Sequence, residues 1–169
     1  RLGRNGFLFG LLSVSSRFDQ GEARHVLTSA SGSGYLRLRD VHVLAARMTF
    51  HALHRTEDAG SQLLLGVDAG LRGYPPRRFD GTRRILGGLE ARPVLWKHSQ
   101  AVVGAALFVD AGTAWTPGRD RRLWVSSIGT GLRIGLPTVY DAPVLRADIA
   151  HGIQADEPWQ LSLGLGHSF

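Results

Sequence analysis

The sequence predicts an all-β protein, an antiparallel up-and-down transmembrane β-barrel segment of about nine strands. Three observations predict it. Apolar residues recur with period two along most of the chain, the spacing of a strand whose successive side chains point to opposite sides. The opposite face is rich in Gly and Ser and also carries Glu90, Arg92, Asp110, Arg133, Arg146 and Asp148. In a soluble sandwich large apolar residues meet between two sheets, whereas this composition suits lipid outside and a polar lumen inside. Third, Trp96, Trp115, Trp124, Tyr140 and Trp159 fall at or near segment ends, where membrane-interface belts lie. A soluble β-sandwich or lipocalin-like barrel is the alternative architecture.

Nine segments carry the rhythm: 6–18, 25–39, 41–54, 61–69, 83–96, 101–111, 124–136, 143–152 and 160–169. The first ends at Asp19-Gln20-Gly21. In the second, Ser31-Gly32-Ser33-Gly34 marks a break or a bulge. Glu57-Asp58-Ala59-Gly60 closes the third, and Pro75-Pro76 follows the fourth. The fifth stops at Lys97-His98-Ser99, and Pro117-Gly118 lies between the sixth and the seventh. Within the seventh, Ile128, Leu132, Ile134 and Leu136 alternate with Gly129, Gly131, Arg133 and Gly135, and Pro137 ends it. The eighth sets Leu145, Ala147 and Ile149 against Arg146 and Asp148, before Asp156-Glu157-Pro158. The ninth sets Leu161, Leu163, Leu165, His167 and Phe169 against Gln160, Ser162, Gly164, Gly166 and Ser168. Strands of about 9–13 residues match a tilted crossing of the hydrocarbon.

Composition narrows the function. The 169 residues suffice for one domain with a core. Glycine occurs 22 times and cysteine not at all, which removes disulfide scaffolds, thiolate catalysis and Cys-ligated zinc. The net charge of +6 rests almost wholly on scattered arginines, with Lys97 the only lysine, so no nucleic-acid surface is expected. No apolar run reaches the length of a membrane-spanning helix. The opening Arg1-Leu2-Gly3-Arg4-Asn5-Gly6 is neither an initiator Met nor a signal peptide, and reads as a piece of something longer.

The stretch Gly70-Leu71-Arg72-Gly73-Tyr74, followed by Gly81 and then Glu90-Ala91-Arg92, resembles the outer-membrane assembly factor superfamily. These are the bacterial surface antigen barrels, BamA/TamA-like proteins, in which an aliphatic-Arg-Gly-aromatic loop folds back into the lumen. Five strand-like segments follow the motif, as in the family. In order they hold Glu90, Phe108-Val109-Asp110-Ala111-Gly112, the Gly129 to Arg133 run, Val144-Leu145-Arg146-Ala147-Asp148, and a last strand ending in Phe169. The resemblance covers residues 61–169 well and 1–60 by strand rhythm alone. It implies that the chain is a single domain over 1–169, the carboxy-terminal part of a 16-stranded barrel whose first strands lie elsewhere. It further implies an outer-membrane location in a Gram-negative bacterium, with lipid and client barrel or secreted proteins as partners.

The resemblance also assigns sites. Leu71, Arg72, Gly73 and Tyr74 form the loop-lock motif, and Glu90 and Asp110 are the lumen partners of Arg72. Guanidinium suits this work because it stays charged and grips carboxylates in two directions. The plain alternative is an exposed loop arginine beside two ordinary carboxylates. Leu163, Leu165 and Phe169 are the terminal assembly signal. If Phe169 ends in the periplasm, the Arg72 loop and the connection 112–123 lie outside, while 96–100 and 137–142 lie inside.

Other chemistry is thin, and no enzyme, cofactor or metal site is expected. His51 and His54 are three apart, which on a strand points the rings to opposite faces. Gly32-Ser33-Gly34 is no nucleophile elbow, and Gly129 with Gly131 precedes no helix. Insertion or secretion of proteins is therefore the expected function; a passive channel, a small self-contained barrel without assembly activity, or a soluble lipid-binding barrel are the alternatives.

Overall fold

The computed structural model describes residues 6–19, 22–38, 42–54, 62–119, 121–136, 144–154 and 157–166. Its strands are β1 (Gly6–Asp19), β2 (Glu22–Leu38), β3 (His42–His54), β4 (Leu63–Leu65), β5 (Phe79–Gly81), β6 (Arg83–Arg92), β7 (Val94–Lys97), β8 (Val102–Trp115), β9 (Val125–Gly135), β10 (Leu145–Gly152) and β11 (Gln160–Leu165). One antiparallel sheet runs β1-β2-β3-β6-β8-β9-β10-β11, with β7 also on β8. The protein is all-β, up-and-down and antiparallel, with nine strands in this sheet. The sheet is open, ending at β1 and β11.

The count of nine is reached differently from the sequence expectation. Residues 61–69 are no member of the main sheet: only Leu63–Leu65 is extended, and it pairs with β5 in a separate two-stranded ribbon. The three leucines are consecutive rather than alternating, so period two never held there. Gly66 and the single 3-10 turn Val67–Ala69 then bend the chain away. Segment 83–96 is two strands, because Pro93 has no N–H to give the ladder. Its carbonyl still accepts from the Ala105 amide at 2.9 Å, and a bulge at Val94/Trp96 lets β7 continue along β8. Segment 101–111 extends to Trp115, so the connection read as 112–123 begins later. Ser31 to Gly34 neither break nor bulge: the ladder to β1 is regular there, and its irregularity sits at Ser15/Arg17.

Register sorts side chains into rows across the sheet. One row runs Phe9, Ser33, Arg47, Gly88, Asp110, Ser127 and Gly152. Its neighbour on the same face runs Phe7, Tyr35, Ala45, Glu90, Phe108, Gly129, Ala150 and Gln160. The connection between β3 and β6 folds over this face at β6–β10, and Glu90, Asp110, Ser127, Arg133 and Asp148 are all buried there. The other face is bare. Leu107 is 57% exposed, Ile128 52% and Leu163 75%. Water-soluble packing is thus inverted: charges are covered and aliphatic side chains are not. One apolar cluster lies under the loop, where Leu65, Leu71, Tyr74 and Leu86 pack with Phe79, Ala114 and Val125, and a second joins Ala106, Phe108 and Ala150.

Candidate functional site

The loop is aimed by its own backbone. The 3-10 turn ends at Gly70, whose φ of 101° belongs to the left-handed region that favours glycine. The Leu71 amide donates back to the Gly66 carbonyl at 2.9 Å, and the Val67 amide donates to the Tyr74 carbonyl at 3.0 Å. This tight turn drives Leu71, Arg72, Gly73 and Tyr74 onto the sheet, all four buried. From β3, the Arg47 guanidinium donates to the Gly70 carbonyl at 2.8 Å and fastens the turn from the side.

Arg72 meets both acids. Its Nε and Nη2 donate to the two oxygens of Asp110 at 2.8 and 2.9 Å, a bidentate grip, while Nη1 donates to Glu90 Oε2 at 2.6 Å. The guanidinium carbon also lies 3.3 Å from the centroid of the Phe108 ring, so one flat face is covered by an aromatic. Burial alone would push the Arg72 group towards its neutral form. The hydrogen bonds and charges of Asp110 and Glu90 outweigh it, and the group ends above its ordinary range.

Four residues named as charges on the polar face join this cluster, Arg92, Arg133, Arg146 and Asp148, with Arg146 Nη1 3.5 Å from Asp148 Oδ2. Asp148 Oδ2 lies 3.8 Å from Arg72 Nη1. Arg133 donates to Asp148 at 2.5 Å and to Glu90 Oε1 at 3.3 Å, and Arg92 donates to the same Glu90 oxygen at 2.8 Å. The network therefore spans β6, β8, β9 and β10 and welds four strands to one loop. The charges are paired but the hydrogen bonding is incomplete, since Asp148 Oδ2 and Arg133 Nε are buried without a hydrogen-bond partner; deleting any member would leave a buried charge behind.

Gly73 and Gly152 make the close approach possible. A Cβ on Gly73 would lie 2.4 Å from Ser127 Cβ and 2.6 Å from the His151 carbonyl carbon. A Cβ on Gly152 would lie 2.6 Å from the Tyr74 ring. Tyr74 packs edge-on against Phe79 with centroids 5.2 Å apart, and its hydroxyl donates to the Ser126 carbonyl at 3.2 Å.

Of the remaining expected site residues, Leu163 and Leu165 lie on the bare face of β11, and Phe169 and Tyr140 lie outside the described residues. His51 and His54 form no metal cluster, and among the described residues none of three or more ligating side chains exists. No family model, curated protein or solved structure matches the chain.

Proposed function

We propose that the chain is part of the wall of an outer-membrane β-barrel that takes part in inserting or secreting proteins, with the Arg72 loop docked in its lumen. The inverted sheet carries this reading: a bare aliphatic face backed by a face of buried charge is what a wall between lipid and a polar lumen needs. The girdles agree in scale. Val103, beside Trp96, and Trp115 sit twelve residues apart on β8. At a strand rise of about 3.3 Å that is about 40 Å along the strand. The usual tilt of about 35–45° reduces this to about 30 Å, the thickness of the hydrocarbon.

The open edges at β1 and β11 fit a sheet completed by further strands of the same barrel, since unpaired backbone in hydrocarbon costs several kcal/mol per group. An edge that opens would also offer its N–H and C=O groups to an incoming client strand, by β-augmentation. The resemblance of the Arg72 motif and the five following segments to the assembly factors supports insertion or secretion over other barrel functions. Leu163, Leu165 and Phe169 serve in it as the terminal assembly signal. The test is reconstitution of the complete barrel in vesicles. It should accelerate folding of a separate outer-membrane barrel into the same vesicles. Ion conductance with no such acceleration would favour a passive channel.

A further inference from the structure

The arginines of the β8–β9 connection have no part in the loop site. Arg119, Arg121 and Arg122 are exposed, and Asp120 is the one acid among residues 116–124. The Arg122 guanidinium lies over two indoles at once, 4.5 Å from the Trp115 ring centroid and 5.0 Å from that of Trp124. Trp115 is in step with Leu107 and Val109 on the bare face of β8, and Trp124, 51% exposed, directly precedes β9. Trp159, stacked on His151 at 5.2 Å, is in step with Leu161 and Leu163 at the same end of the sheet. Among the described residues no acid pairs with Arg121 or Arg122.

Two rings fix the height of the Arg122 charge. Indoles settle at the level of lipid headgroups, so a guanidinium held between them stands where the phosphates are. A guanidinium resting on rings can still offer its edge N–H groups, the donors that bind phosphate in a fork. Leu123 and Trp124, 64% and 51% exposed, supply an apolar footing directly after the charges. The opposite end of the bare face has Trp96 stacked on His98 and only Lys97 beside them.

We propose that Arg122, set between Trp115 and Trp124, and the exposed Arg119 and Arg121 beside it in sequence bind the phosphate groups of anionic lipids in the leaflet at the loop end of the barrel. This rests on the membrane reading above. Each cation near an anionic surface contributes enough to alter partitioning several-fold, and salt weakens the effect.

The complete barrel that includes this chain is reconstituted in mixed phosphatidylcholine and phosphatidylglycerol vesicles in which one lipid or the other carries brominated chains. Tryptophan quenching then reports which lipid lies against the indoles. The expected result is a preference for the anionic lipid of about three- to tenfold, reduced at high salt. Replacing all three arginines by Gln should bring the ratio to about one with quenching retained. The charge-keeping Arg121→Lys/Arg122→Lys variant should keep most of it. A ratio near one in the unaltered protein, or a preference that survives the triple replacement, overturns the proposal while leaving the membrane reading intact. Absence of quenching by either lipid overturns the membrane reading and this proposal with it.

Discussion

The two halves of the sheet treat the same face in opposite ways. Across β6 to β10 it carries Glu90, Asp110, Arg133 and Asp148, all buried beneath the loop. Across β1 it carries Phe7, Phe9 and Leu11, each more than half exposed, and the reverse side of β1 exposes Leu8, Leu12 and Val14 as well. The sheet is continuous and regularly paired from one half to the other, so the contrast lies in the side chains and not in the backbone. Covered charge needs partners at fixed positions, which makes the β6–β10 half specific and brittle. An apolar strand bare on both sides is satisfied by any apolar neighbour. The β6–β10 half holds a loop; β1 is bare on both sides.

The sharpest way to break that contrast is to remove the arginine. Arg72→Ala leaves Glu90 and Asp110 buried without their main counter-charge, a change that typically costs about 3–5 kcal/mol. The cost should appear as release of the loop, because the β6–β8 and β8–β9 ladders do not depend on it. Proteases should gain access to residues 75–80 while strand content by circular dichroism stays unchanged. Arg72→Lys should recover only part, since an ammonium cannot hold both Asp110 oxygens and Glu90 in one plane. Unaltered cleavage in Arg72→Ala would mean that Leu71 and Tyr74 dock the loop by themselves.

A second test uses β11, where adjacent residues face opposite ways. Leu163→Arg puts a charge on the bare face and should cost about 2–4 kcal/mol at the mid-depth of a bilayer, seen as failure to integrate into vesicles. Ser162→Arg sits directly across from Asp148 and should be far milder. Equal damage from both would refute the assignment of faces.

Gly73→Ala probes fit rather than charge. The added methyl meets Ser127 Cβ and the His151 backbone, and overpacking of this kind costs about 1–3 kcal/mol. Ser127→Gly should relieve one of these contacts and restore part of the loop protection. Full restoration would show that the His151 backbone moves freely, which the ladder between β9 and β10 opposes.

How much of this was legible beforehand follows from what each feature needs. Alternation in β9, β10 and β11 needs only the local sequence, and their faces follow from counting by twos. Arg72, Glu90 and Asp110 were singled out through a motif, and they do meet. Arg133, Asp148 and Arg47 were not assigned to the site because their roles depend on which strands are neighbours. Reading 61–69 as a strand places it between β3 and β6, which hides the fact that Arg47 stands beside Gly88 and within reach of Gly70. The run Leu63 to Leu65 is apolar enough for a strand and too short to reveal its period, so its destination is set by the loop that packs on it.

The smallest effect tests the other half. Phe9 shares its row with Asp110, yet its ring is 59% exposed. Phe9→Ser should therefore shift the stability of this chain by no more than about 0.5 kcal/mol, the range of surface positions away from caps, cavities and buried charges. In the proposed complete barrel any element covering β1 would feel the same change, and burial of a phenyl ring is worth about 1.5–3 kcal/mol. Measuring Phe9→Ser in both settings by denaturant unfolding separates two explanations of the contrast. A small cost in the chain alone and a larger one in the complete barrel would mean that β1 is an unfinished interface. A small cost in both would mean that its apolar inner side faces open space even in the assembled wall, and that the difference between the halves is intrinsic.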